Sequence, residues 1–407
     1  MILYNNIFTL HYRKDKITKS IRSLRTKSVL DMTSNSLDSV DWEDILETME
    51  EQKCVLFLGS GAFQAPGGEN LEVALSTWLD TDNIDHPHIQ IYNSDGFFLF
   101  KKNRYKRKVI AEMKRFYSQS FPETEALFSK ISQMPFSMII TLTPDNILAR
   151  TFDVMGLEYQ PDFYFRNRKA SDTFENPTKK KPLIYNLMGN IEEPESLVLT
   201  HGDFFDYLES VFKGMSMNDE LKDSLENMER YIFLGLPYEK WYFQMLLRVL
   251  SLHSDKLKEV ERLALDEFED PNLHKIYAEE FKIEFFPAST NEFIDELFTR
   301  CEKEGLLKTL PKADPAEASI SDPSPETIKE LVGEAKTAKA MLHLKVFLKN
   351  RKPQSAELAN NLVVLRNQHN LLRQREMKGT IDNRDLSVEN NQIVERLLQI
   401  IGQAQTL

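Results

Sequence analysis

The stretch Cys54–Leu58, CVLFL, is an unbroken apolar run that ends in glycine. A short run without apolar–polar alternation predicts a strand buried on both faces. The texture recurs at Met138–Leu142, in PLIYNLMGN (Pro182–Asn190), in ESLVLT (Glu195–Thr200), at Tyr231–Leu234 and in FKIEFF (Phe281–Phe286). Helical spacing fills the gaps. It runs through SVDWEDILETMEEQK with Asp41 as N-cap, and from Asn70 to Leu79. It resumes after Thr200 or Asp203, from Glu239, and after Ser289 or Thr290. Strand and helix alternate from Cys54 to Cys301, which predicts an α/β fold: a Rossmann-like parallel sheet with helices on both faces. Ligands in such sheets sit at the carboxyl ends of the strands.

The pattern then changes. Lys308–Pro325 holds four prolines among Ala, Ser and Asp, the texture of a solvated linker. Beyond it, Ile328, Leu331, Val332, Ala335 and Ala338 recur at three and four. Leu358, Leu362, Leu365, His369 and Leu372 form a second stripe, with Gly379 as its stop, and DNRDLSVENNQIVERLLQII forms a third. This predicts a C-terminal three-helix bundle. The expected units are a basic N-terminal segment at 1–40, an α/β domain at 41–307, a linker at 308–324 and the bundle at 325–407.

Composition narrows the function. The 407 residues carry a net charge of −12, against strong nucleic-acid binding through broad electrostatics. The 2 cysteines, Cys54 and Cys301, make neither a disulfide framework nor a zinc site, which fits a reducing cytoplasm. No apolar run is long enough to cross a membrane.

Candidate chemistry gathers at strand ends. Gly59-Ser60-Gly61, followed by Ala62, brings small residues to a strand–helix turn, where a backbone can approach a pyrophosphate. Gly67-Gly68 extends that loop. Asp145, Asn146, Gly189, Asn190 and Gly235 stand at later strand ends, as turn and cap residues or as ribose and phosphate contacts. His86 and His88 alternate in a polar loop, a spacing open to a metal, although no metal is expected overall.

Four ordered stretches, VLFLGSGAFQAPGG, IITLTPDNIL, LIYNLMGNIEEPESLVLTHGDFFDYL and YIFLGLPYEKWYFQMLLRVL, resemble the sirtuin-like (silent-information-regulator-like) domain of bacterial defence proteins. The resemblance covers Asp41 to about Leu307. It implies a Rossmann-type sheet that binds NAD+ and, in active members, cleaves the nicotinamide–ribose bond. The zinc ribbon of true deacylases needs four cysteines, so protein deacylation is not expected. The family pair is an Asn in a T-N-Y-D segment and a His in an L-H-G segment. Here those positions hold Thr143 and Met188, and of the first segment Asp145 alone matches. A Met cannot take a proton, so a disabled or rebuilt site is expected. His201 also precedes a glycine but follows the fourth predicted strand; it is the alternative base of a rebuilt site.

The C-terminal segments, with R-Q-R-E-x-x-G-T-I at Arg373–Ile381, are similar to an effector-associated domain of bacterial conflict systems. Such adaptors pair with a like domain on another protein. Together the resemblances imply a defence protein that binds NAD+ or a related adenine nucleotide as a sensor or scaffold, forms homo-oligomers and recruits a partner bearing a similar domain. The alternative is an active NAD+ glycohydrolase.

Overall fold

A computed structural model describes residues 37–65, 68–165, 176–212, 219–249, 260–265, 270–310, 320, 322–351, 355–377 and 382–405. The segment 1–36, most of the linker, Gly67 and the stretch 378–381 with Gly379 lie outside these.

Helix α1 (Trp42–Glu50) starts where Asp41 accepts the Asp44 amide at 3.1 Å, as its sequence predicts. Strand β1 (Cys54–Leu58) leads through a 3-10 turn, Ser60–Ala62, to α2 (Leu71–Trp78). A two-stranded antiparallel hairpin follows, β2 (Ile89–Tyr92) and β3 (Phe98–Phe100), and then α3 (Lys106–Tyr117) and α4 (Pro122–Gln133). Next come β4 (Met138–Thr141), α5 (Ile147–Met155), β5 (Gln160–Phe163), β6 (Leu183–Asn186), α6 (His201–Phe212) and α7 (Asp219–Glu226). The unit continues with β7 (Arg230–Leu234), α8 (Trp241–Val249), β8 (Glu261–Leu265), α9 (Pro271–Glu280), β9 (Ile283–Phe286) and α10 (Thr290–Lys303). Ser289 and Glu292 close a capping box at the start of α10.

Seven strands form one parallel sheet in the order β5-β6-β4-β1-β7-β8-β9. Side chains alternate across it. Cys54, Leu56 and Leu58 enter one apolar layer and Val55 and Phe57 the other. Burial on both faces is why the central strands read as continuous apolar runs. The chain lays β4 beside β1, then the edge strand β5, then β6 between β4 and β5, and returns to lay β7 on the other side of β1. The topological switch point therefore lies between β1 and β7, between the loops after Leu58 and Leu234.

Five of the six predicted strands belong to this sheet. The sixth, Glu195–Thr200, does not. Pro194–Ser196 is a 3-10 turn, and the extended residues after it bond sideways: the Val198 amide to the Met188 carbonyl at 3.1 Å, and the Leu199 carbonyl to the Phe98 amide at 2.8 Å. Leu197, Val198 and Leu199 are buried, so the apolar run is core without being ladder.

The C-terminal unit has its own apolar cluster. The three predicted segments are helical, and the first is two helices, α11 (Pro325–Gly333) and α12 (Thr337–Lys349). A Schellman motif divides them: Lys336 N bonds to Leu331 O at 2.9 Å and Ala335 N to Val332 O at 3.0 Å, with Ala335 at φ 57°. The remaining helices are α13 (Ala356–Met377) and α14 (Asn383–Ala404). Leu362, Leu365, His369 and Leu372 of α13 are buried, as the stripe predicts. Helix α13 also packs against α5 of the α/β unit. Among the described residues no helix is long and apolar enough to cross a membrane.

Candidate functional site

The turn after β4 is held from the neighbouring strand. Asn186 ends β6, is buried, and directs its Nδ2 at Thr143 O (2.9 Å), Asp145 O (2.9 Å) and Thr141 Oγ1 (3.3 Å). Two hydrogens thus tie down a three-carbonyl-length turn that has no ladder of its own. Asp145 then starts α5, its Oδ1 accepting the Ile147 amide at 2.8 Å. Its other oxygen, Oδ2, is buried and receives no hydrogen bond of good geometry. The same holds for Thr143 Oγ1 and for Arg150 Nη1, one turn into α5. Thr143, Asp145 and Arg150 are 7%, 5% and 4% exposed. Buried polar atoms are normally satisfied, and three orphans around one strand end mark a place suited to a polar ligand.

Burial dominates the electrostatics. It raises the Asp145 carboxyl above the usual range, offset by the nearby Thr143 hydroxyl, the Ile147 amide and the Arg150 charge. Burial lowers Arg150, whose charge is supported by Asp145, Glu125 and Glu192. Tyr117 is pushed well up by burial and then by the charge of Asp145, Tyr92 and Glu72. Tyr92 and Tyr242 are raised for the same reasons, burial first and Glu72 next. Glu72 is held by Lys240 at 3.0 Å.

At the switch point the glycines are needed for packing. A Cβ on Gly59 would lie 2.1 Å from Gly235 O, and one on Gly235, at φ +60°, would lie 2.0 Å from Ala62 N. The Gly61 amide donates to Gly235 O at 2.9 Å and the Ala62 amide to Gly59 O at 3.1 Å. The two loops are pressed together, and the amides of Gly61 and Ala62, expected to face a phosphate, are engaged within the protein. Ser60 sits in this 3-10 turn. The residues present thus fit a polar group at Asp145 better than a pyrophosphate on the glycine loop as it is folded here.

Met188 is 7% exposed and belongs to the apolar layer with Val198, Tyr207 and Phe233. Gly189 takes φ +84°, and a Cβ there would lie 2.2 Å from Ser196 O, so both the backbone conformation and the space call for glycine. The Asn190 amide donates to Ser196 Oγ at 2.9 Å and its Oδ1 accepts the Glu192 amide at 2.9 Å, an Asx turn.

His201 begins α6, exposed and stacked at 7° on Trp241. Asn93 Oδ1 takes the Asp95 and Phe97 amides, so its Nδ2 is a donor and His201 Nε2, at 3.2 Å, is the acceptor. The imidazole lone pair is spent on the hairpin. That hairpin inserts Phe97, 4% exposed, among His201 (4.8 Å between ring centroids), Tyr242 (5.2 Å) and Phe204 (5.6 Å). His86 Nδ1 accepts the His88 and Ile89 amides at 3.1 and 2.7 Å, which leaves it no lone pair there for a metal. Among the described residues no three His, Cys, Asp or Glu side chains cluster to hold an ion. Cys54 and Cys301 are free, buried thiols, both raised by desolvation.

The structure thus brings Thr143 and Asp145 together, joins Gly59, Gly61 and Ala62 to Gly235, and gives Met188 to the core. Sequence reasoning missed Asn186, Arg150 and Phe97. An asparagine inside the apolar run LIYNLM was the available signal for the first; Arg150 and Phe97 carried none.

Residues 137–286 match the family model described as SIR2-like domain, a span that includes Thr143, Asp145, Met188, His201 and Gly235 but not the Gly59 loop. Residues 323–405 match the model described as Effector-associated domain 11. No curated protein matches the chain. The chain thus joins a stretch similar to a SIR2-like domain, 137–286, to one similar to an effector-associated domain, 323–405.

Proposed function

We propose that the α/β unit, residues 41–307, binds NAD+ or a related adenine nucleotide at the carboxyl ends of β1, β4 and β7 without cleaving it. The protein acts as a sensor or scaffold in a bacterial antiviral defence system, in the cytoplasm and as a homo-oligomer. The bundle brings it to a protein that bears a similar effector-associated domain. The observation that carries this reading is Met188. The position where the family resemblance expects a general base holds a thioether within the apolar layer, and a thioether neither takes nor gives a proton. Binding is supported by the orphaned Thr143 Oγ1, Asp145 Oδ2 and Arg150 Nη1, which offer a donor–acceptor set for ribose hydroxyls.

Asp145 favours a second reading. A carboxyl raised by burial holds a proton more readily than a free one, so a rebuilt NAD+ hydrolase would use it with Thr143 as its neighbour. A thermal-shift titration separates binding from no binding. A ligand at a hundred times its Kd stabilises by about 2.7 kcal/mol, so NAD+ or ADP-ribose raises the melting temperature of the native chain and less so that of Asp145→Ala. No shift with either ligand removes the nucleotide reading.

A further inference from the structure

The packing of α13 on α5 is fastened by one polar chain. Glu192, in the loop after β6, accepts hydrogen bonds from Lys114 of α3, from Asn146 Nδ2 at 3.4 Å and from Gln368 Nε2 of α13 at 2.9 Å. Gln368 is oriented in turn by Arg396 of α14, whose Nη1 donates to Gln368 Oε1 at 2.9 Å. The amide therefore bridges the two units, its acceptor end bound to the bundle and its donor end to the SIR2-like domain.

Glu192 is also a junction for the candidate site. Asn146, which it contacts, lies between Asp145 and the first residue of α5. The Ile191 amide donates to Pro144 O at 2.8 Å, so the 190–192 loop and the 143–146 turn share a backbone bond. The Glu192 charge also supports Arg150, whose Nη1 is one of the orphaned atoms. One carboxylate thus touches the bundle, the N-terminus of α5 and the polar set around Asp145.

We propose that this contact is a latch: the effector-associated bundle is docked on its own SIR2-like domain through Gln368 and Glu192, and its release loosens the Thr143–Asn146 turn. A partner domain that draws α13 away from α5 would carry its signal to the site by this route. The latch goes beyond the nucleotide reading and does not rest on it.

The test uses the full chain without nucleotide. Gln368→Glu keeps an acceptor for Arg396, so the bundle retains its internal bond, but sets like charge against Glu192. Gln368→Ala removes the bond without repulsion. Hydrogen exchange is read at the amides of Ile147, Arg150 and Ile191, all hydrogen-bonded in the latched state. Their exchange accelerates roughly tenfold or more in Gln368→Glu and less in Gln368→Ala. The Phe293 amide, bonded to Ser289 O at the far end of the sheet, is unchanged. Small-angle scattering shows a larger radius for Gln368→Glu. Unchanged exchange at the three site amides in both variants overturns the proposal, whether or not the radius grows. Equal acceleration at Phe293 also overturns it, because the effect is then global.

Discussion

Asn186 is the most exacting place to perturb the site without touching it. Its Nδ2 makes two 2.9 Å bonds to the carbonyls of Thr143 and Asp145, and all three residues are buried. In Asn186→Ala the Asp145 carbonyl loses its donor, and the Thr143 carbonyl keeps only the Thr141 hydroxyl at 2.8 Å. A buried hydrogen bond contributes about 1 kcal/mol net, and an orphaned buried acceptor costs about 1–3 kcal/mol. One lost bond at the Thr143 carbonyl and one orphaned Asp145 carbonyl amount to about 2–4 kcal/mol. In a domain of this size 1 kcal/mol moves Tm by roughly 2–4 °C, so the α/β transition falls by roughly 4–16 °C. Asn186→Asp is worse, because acceptors then face acceptors. The assay is melting of the full chain followed by tryptophan fluorescence; Trp42, Trp78 and Trp241 all lie in the α/β unit. A melt of Asn186→Ala within about 1 °C of the native chain would falsify the claim that this side chain holds the turn.

Further outcomes follow from the same geometry. Gly235→Ala, whose Cβ would meet backbone at 2.0 Å, fails to accumulate as folded protein, whereas Gly305→Ala, at φ +70° with nothing within 4 Å, loses only about 1–2 kcal/mol in denaturant melts. Asp145 binds its proton more tightly folded than unfolded, so stability falls as pH rises between the two pKa values and the full cost persists above the folded one. Asp145→Asn, which keeps the acceptor for Ile147, therefore melts above the native chain at pH 7, and the gain disappears below pH ~3.9. Ala335→Gly relieves the left-handed residue between α11 and α12 and raises the stability of the bundle by about 1 kcal/mol, seen by circular dichroism.

Elements buried on both sides were legible from pattern alone. The runs of β1, β4, β6 and β7 are buried throughout because the inside of a parallel sheet needs them so, the edge strand β9 keeps Ile283 and Phe286 buried while Glu284 is exposed, and the caps Asp41 and Ser289 are local chemistry. The edge strand β5, QPDF, is half-buried and contains a proline, and β8 opens on Glu261 and Arg262, so neither shows the continuous texture. The run Leu197–Leu199 shows it and is no strand, since burial rather than pairing sets composition. In the site, Thr143, Asp145 and Met188 stood out because their positions follow motif strands. What the sequence hid is tertiary. The reason for Gly59 is another loop 176 residues on, and the bond of Gln368 to Glu192 joins two units with no shared local pattern. Gly59-Ser60-Gly61 predicts a phosphate cradle; in the structure the Gly61 amide is taken by Gly235 O and the Ala62 amide by Gly59 O.

The central claim is binding without cleavage, and release of nicotinamide tests it most directly. The purified full chain is incubated with NAD+ at saturating concentration, alone and with a protein carrying a similar effector-associated domain, and free nicotinamide is followed by chromatography. The account predicts none above the protein-free control in either arm, together with a thermal shift that shows NAD+ is bound. Time-dependent nicotinamide release that is lost in Asp145→Asn would contradict it and establish a rebuilt hydrolase.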